Sequence, residues 1–283
     1  MLTNAATPWF SMRFKDDNLA LDEESREWLE ASTRQMYIAL NRSNFQQEIH
    51  ELYVDLVVFG TACMMIEEDD EKLIRFSTRH IKEIYIAEND KGFVDTIHRS
   101  FKMSARSAVK RFGDAVGKRI FAIAEENPYD EIELHHCVKP NDQFNPYKMD
   151  NKSMAFVSVY YDNEDGHIIS ISGFEEFPFV IPRWLKSSAE SWGRSPSMIA
   201  LPDIKMLNRM AETTIKAAQK MVDPPLLVPD DSFVLPVRTQ PGGLNYYRSG
   251  SRDRIEPLNI GANTPVGINL EEQRRGAIRQ AYY

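Results

Sequence analysis

Four groups of residues in this 283-residue chain are of types that could do chemistry. His135-His136 is the one adjacent histidine pair. Neighbours on a strand point to opposite faces, so the two rings are badly placed to share a metal ion. The run Glu67-Glu68-Asp69-Asp70-Glu71 could hold a divalent cation as a carboxylate cluster, but a charge run between two strand-like stretches reads first as a solvated turn. Cys63 lies beside Met64, Met65 and Ile66, where a small buried hydrophobe is expected, and the sequence suggests no histidine to activate it. There is no GxxxxGK[ST], no GxGxxG after a strand and no GxSxG, so no phosphate cradle, dinucleotide fold or serine nucleophile is indicated. No catalytic residue, metal or cofactor is assigned, and an enzyme is the weaker class.

The fourth group is basic. Lys205, Arg209, Lys216 and Lys220 fall, at 100° per residue, within a sector of about 60° on one helix face, partly offset by Glu212. Such a stripe could follow a phosphate backbone or could be a solvated helix face, and both readings stay open. Further on, Tyr246, Tyr247, Arg248, Arg252 and Arg254 mix aromatics with arginines, types enriched at protein contacts, and are the candidates for partner docking.

The elements that must position these groups follow from periodicity. Asp22 is a good N-cap with Glu23 and Glu24 behind it, which predicts a helix to about Leu40. Ser43 and Gln46 have capping-box spacing, and Phe45, Ile49, Leu52, Leu56 and Phe59 then form an apolar stripe that stops at Gly60. Short β-branched or aromatic runs at 61–66, 73–76, 84–87 and 93–101 predict an antiparallel sheet. Ser104 starts a helix ending at Gly113, a second covers 116–126, a strand follows at 131–138, and a hairpin at 154–172 turns at Asn163-Glu164-Asp165-Gly166. Up to about Ser195 the chain reads as an α+β unit without βαβ alternation.

After Pro182 the character changes. Ser197, Ala200, Ile204, Leu207, Ala211, Thr214, Ala218 and Met221 make a narrow seam of mostly small residues along one long helix, which Asp223-Pro224-Pro225 ends. This suits a helix packed beside copies of itself or another neighbour. A Pro/Gly-rich stretch with brief strand-like pieces at 226–228, 233–235 and 254–256 follows, and a final helix is expected from Asn269. That helix is still in progress at Tyr283, so a longer chain is expected.

Composition sets outer bounds. The chain is 42% hydrophobic and 27% charged, which excludes collagen-like and wholly disordered classes. Its two cysteines lie outside any CxxC, as in a chain built in a reducing compartment. The longest uncharged stretch near the apolar peak, Leu56 to Ile66, is 11 residues, well short of the roughly 20 a bilayer span needs, and Met1 to Arg13 has no signal-peptide pattern. The net charge of −8 conceals an asymmetry: from Arg183 onward 14 Lys+Arg face 10 Asp+Glu, while 20 face 32 before it. An acidic chain is a poor candidate for tight, independent DNA binding.

Gly193-Arg194-Ser195-Pro196, with Ala200-Leu201-Pro202-Asp203-Ile204-Lys205, Asn208 and Asp223-Pro224-Pro225-Leu226-Leu227-Val228-Pro229, resembles the head-to-tail connector, or portal, proteins of short-tailed bacteriophages. Arg111-Phe112-Gly113 and Trp9-Phe10-Ser11 also resemble that family. The resemblance implies a portal-like fold: an α+β wing over 1–195, a first stem helix over 196–223, a small β-containing clip over 224–267 and the start of a returning stem helix over 268–283. It implies a closed homo-oligomeric ring, usually of twelve subunits, at one capsid vertex of the virion, assembled in the bacterial host cytoplasm. Double-stranded DNA would pass through it without sequence specificity. Its partners would be the terminase large subunit, a tail adaptor, capsid and scaffolding proteins, with no membrane, and the ATP chemistry would reside in the motor. Family channels tend to be acidic or mixed, so the basic stripe would line the bore or pack between subunits. Two other classes are weighed against this reading, a small phage adaptor or scaffold protein and a metal-dependent nucleic-acid-processing enzyme built on the acidic run.

Overall fold

A computed structural model of the chain describes residues 3, 7–15, 22–148, 150–227, 244, 246, 255–257 and 264–282. The first helix, α1 (Glu23–Arg42), is capped by Asp22, whose carboxylate accepts from the Ser25 amide at 2.9 Å. Helix α2 (Phe45–Phe59) stops at Gly60, which takes the left-handed conformation that returns its amide to the Leu56 carbonyl. The expected Ser43 capping box does not form. Ser43 instead closes α1, donating to the Leu40 carbonyl, and Asn44 is the N-cap residue of α2. Asn44 has a tertiary role: its side chain exchanges hydrogen bonds with the Phe76 carbonyl and amide at 2.7 and 2.9 Å.

The short apolar runs form strands, but in two sheets and not the one expected. Strands β1 (Cys63–Asp69) and β2 (Leu73–Arg79) pair antiparallel around the acidic turn, and the two-residue β8 (Phe179–Val180) adds to the other edge of β1. The second sheet has the order β3-β4-β5-β6-β7, built from Ile84–Glu88, Val94–Ser104, Glu131–Pro140, Phe156–Tyr161 and Ile168–Phe174, each antiparallel to its neighbour. Helices α3 (Ala105–Phe112) and α4 (Gly117–Glu126) sit between β4 and β5 in sequence. Ser104 caps α3 and Gly113 ends it, as their sequence positions predict.

Strand periodicity sorts the side chains into layers. Met64 and Phe76 face α2 and join Phe45, Ile49, Leu52 and Ala62 in one core cluster. Cys63 and Met65, one position away, face the larger sheet and join Ile84, Ile97, Val138 and Phe179 in a second. The rest of that sheet face carries Phe101, Ile132, Leu134, Tyr160 and Ile169, covered by Ala105, Ala108, Val116 and Ile120 from the helical pair. Asp162, fully buried beside this third cluster, accepts two hydrogen bonds from Arg119 of α4 and fixes that helix to the β6–β7 turn.

Two compact units result, 1–198 and 199–283. The second consists, in its described part, of helix α5 (Pro196–Val222) beyond its first turn, a two-stranded ladder of β9 (Leu226–Leu227) with β10 (Glu256–Pro257), and α6 (Thr264–Tyr282). Pro202 lies in the second turn of α5, past the positions whose amides lack a helical acceptor, so the amide that would bond the Met198 carbonyl is missing there. Helix α6 begins five residues before the expected Asn269, because Pro265 is tolerated in a first turn whose amides have no helical acceptor.

Candidate self-association and nucleic-acid interface

The glycine-arginine-serine-proline stretch is a joint, and its chemistry is hydrogen bonding to a helix end. The last carbonyls of α2 lack helical partners. Two are satisfied from this stretch: Ser195 Oγ donates to the Val58 carbonyl and Ser197 Oγ to the Val57 carbonyl, each at 2.8 Å. The Gly193 amide donates to Thr61 Oγ1 at 2.8 Å, with Thr61 fully buried. Gly193 and Gly60 touch backbone to backbone, and a Cβ on Gly60 would stand 2.5 Å from the Arg194 carbonyl carbon. Ser195 also accepts from the Met198 amide at 2.9 Å, so one hydroxyl caps the start of α5 and the end of α2 together. Arg194 is held outward by Glu190 at 2.5 Å, and that pairing lowers the Glu190 carboxyl below its ordinary range. Reading from sequence marked this stretch as a turn, but its grip on α2 needs tertiary contact and has no local signal.

Along α5 the predicted seam is partly correct. Ala200 is buried, and Ile204, Leu207, Ala211 and Thr214 are half-buried. Toward the C-terminal end Ala217 is half-buried in place of Ala218, and Met221 is exposed, so the apolar line drifts as an untwisted helix requires. Helix α6 lies on this seam. Thr214 Oγ1 donates to Glu271 Oε1 at 2.7 Å and Arg274 pairs with Asp203 at 2.9 Å. Partner numbers on α5 fall as those on α6 rise, so the helices run antiparallel.

The four predicted basic residues all project from the exposed side of α5. Lys216 is paired within the helix to Glu212 at 2.5 Å, an exposed i,i+4 contact of little energetic weight. Lys205, Arg209 and Lys220 share that face. The structure therefore gathers the stripe on one face of the helix. Of the docking candidates, Tyr246 is described and exposed, while Tyr247, Arg248, Arg252 and Arg254 lie outside the described residues.

What the sequence did not reveal is the apolar surface beside the stripe. At 100° per residue, Ile199 and Met206 lie on one flank of the α6 contact and Leu201, Ile215 and Val222 on the other. All five are exposed, Val222 by 87%. A helix with two separate apolar flanks has the form needed to contact a neighbour on each side, which is the requirement of a heterologous ring.

The other chemical candidates are accounted for locally. Asp69 accepts from the Glu71 and Lys72 amides and so builds the β1–β2 turn, and among the described residues no three His, Cys, Asp or Glu side chains converge as a metal site. His135 and His136 do face opposite sides, the first stacked on Tyr161 and the second buried on Tyr160. Cys63 is fully buried, and burial pushes its thiol up to about 12, so it is inert at neutral pH. No described helix is long and apolar enough to cross a membrane.

Comparison with known proteins bears on what this helix is for. The whole chain, residues 1–283, matches the family of bacteriophage head to tail connecting proteins. It is 31% identical over its full length to a protein named portal protein from Salmonella phage epsilon15, covering 52% of that relative. It is 27% identical over 95% of its length to a probable portal protein from Bordetella phage BPP-1, covering 48% of it. The chain thus spans about half the length of these curated relatives.

Proposed function

Because the chain belongs to the bacteriophage head to tail connecting protein family, we propose that it forms the wing, first stem helix and clip of a portal subunit. Copies would close into a ring at one capsid vertex of the virion, through which double-stranded DNA enters and leaves. The match across the whole chain carries this reading, and the two exposed apolar flanks of α5 support it. In the ring, Ile199 and Met206 of one copy would meet Leu201, Ile215 and Val222 of the next. That arrangement leaves the Lys205, Arg209, Lys216 and Lys220 face for weak backbone contact with DNA or for acidic groups of an adjacent subunit.

The function is mechanical. The subunit supplies a coaxial tunnel and an exchangeable docking surface in the clip, where Tyr246, Tyr247, Arg248, Arg252 and Arg254 would meet the terminase large subunit and later the tail adaptor. Capsid and scaffolding proteins would contact the wing, and ATP hydrolysis would belong to the separate motor, the portal itself being no enzyme. Assembly would take place in the host cytoplasm. Negative-stain microscopy of the full-length protein tests the proposal: annular particles with a central hole are expected, and a uniform population of monomers or dimers would refute it.

A further inference from the structure

Between the second and third core clusters of the α+β unit lies a layer of charge. Arg99 projects from β4 between the buried Ile97 and Phe101, pairs with Glu83 at 2.8 Å and stacks on the Phe101 ring at 3.9 Å. Arg111 of α3 reaches the same layer, 3.2 Å from the Tyr160 hydroxyl and 3.6 Å from Glu67. His136 lies flat on Tyr160, ring centroids 3.9 Å apart, with Nε2 on Ser158 Oγ at 2.9 Å. Arg79, the last residue of β2, sits opposite Cys63 on the face turned to the larger sheet, within electrostatic reach of Arg99, Glu67 and Glu83.

The charges do not balance. Three guanidinium groups share two carboxylates, and each carboxylate already has its own arginine. Among the described residues the Arg79 side chain has no hydrogen bond and no ion pair, and its Nε is buried without a partner. His136 Nδ1 is likewise buried and unpartnered. When Ser158 donates to Nε2, Nδ1 carries the ring proton and is a donor with no acceptor. The Arg79 side chain is half-buried with its Nε out of reach of water, and a buried polar N–H left without an acceptor costs a fold free energy, as does the unpartnered Nδ1 of His136 within its electrostatic reach.

We propose that Arg79, Arg111 and His136 form a binding site for a small oxyanion of the phosphate or sulfate class. Two unpartnered N–H donors, Arg79 Nε and His136 Nδ1, within electrostatic reach of each other and of Arg111, match a tetrahedral oxyanion, which accepts several hydrogen bonds at once, better than chloride. Arg111 and Glu67 form the exposed edge of the layer, with side chains 39% and 27% exposed, whereas the Arg99 side chain is 7% exposed. A bound anion would tie β2 to α3 and so join the smaller sheet to the helical pair.

The test is thermal unfolding of the full chain in phosphate, sulfate and chloride at matched ionic strength and pH. A saturable rise in midpoint is expected with phosphate and sulfate over chloride. Arg79→Met should abolish that difference and, in chloride, melt no lower than the wild type, since it removes an unpaired charge. Equal midpoints in all three salts, or a phosphate-specific rise retained in Arg79→Met, would overturn the proposal. Should the variant not fold, phosphorus NMR of inorganic phosphate with the wild-type chain decides: line broadening reversed by sulfate is expected, and a sharp line at every protein concentration overturns it.

Discussion

In the α+β unit both sheets and helices α2 to α4 set apolar faces against other layers of the same unit, α2 against the smaller sheet, that sheet against the larger one, and α3 with α4 against what remains, while α1 buries no residue and adds only the half-buried Leu40. The helical unit is built on the opposite plan. Among its described residues only Ala200 and Glu271 are buried, whereas Ile199, Leu201, Met206, Ile215, Met221 and Val222 are exposed on a single helix. Apolar surface of that extent is normally covered in the working form of a protein. The difference separates two sources of order. On the proposed function, the first unit would draw stability from its own core and the second from contact with sister copies, an arrangement that would let a ring form from preassembled wings.

The largest effect should come from breaking the second source alone. Met206→Asp with Ile215→Asp places a charge on each flank of α5, and the full-length protein is expected to lose its ring on size-exclusion chromatography while the melting of the α+β unit stays unchanged. Loss of both together would show that the units are not independent in this way. The converse change strikes the joint: Gly193→Ala drives a methyl group into the Gly60 carbonyl, where both partners are backbone, and should cost the α+β unit about 3 kcal/mol in denaturant titration.

Acid separates the regions more finely, since all six histidines precede residue 199. Burial first, and the nearby arginines after it, push His136 down to about 3 in the folded chain, so it stays neutral there while the unfolded chain protonates near 6.5. Stability from this group is therefore complete above pH 6.5 and is lost as pH falls through the window from 6.5 to 3, at up to about 1.4 kcal/mol per pH unit. Denaturant midpoints of the α+β unit should fall between pH 6.5 and 5, and His136→Asn should flatten most of that slope. The half-buried His98, lowered by desolvation and by His135, leaves a smaller residue of the same sign. The smallest effect sharpens the first unit: Leu73, the first residue of β2, is exposed at a φ of 72°, a left-handed conformation that leucine adopts at a cost. Leu73→Gly should raise that unit's stability by roughly 0.5 to 1 kcal/mol, read as a higher denaturant midpoint.

Local signals made much of this legible. Asp22, Ser104, Gly60 and Gly113 mark helix ends because a cap is a contact within a few residues, and β4 and β5 alternate because one face of each is buried. Pairing is a different matter. Nothing in residues 61–104 says that β1 and β2 leave β3 and β4 to form a separate sheet, because the choice depends on Phe179 and Val180, over 110 residues downstream of β1. The Gly193–Gly60 contact and the buried arginine layer were hidden for the same reason. Arg99 looks like an ordinary strand arginine until β2 and α3 bring Arg79 and Arg111 beside it. On α5 the spacing gave the seam and the basic stripe, but the two exposed flanks emerged only once α6 was seen to occupy one line between them.

Hydrogen exchange on the full-length protein, compared between assembled rings and subunits dissociated by dilution, addresses most directly whether copies supply the order that α5 cannot supply itself. Amides over residues 199–222 should exchange slowly in the ring and much faster in the free subunit, while those of β4, β5 and α2 keep the same protection in both. Equal protection of α5 in the two states would contradict the account, because the helix would then owe its stability to its own chain.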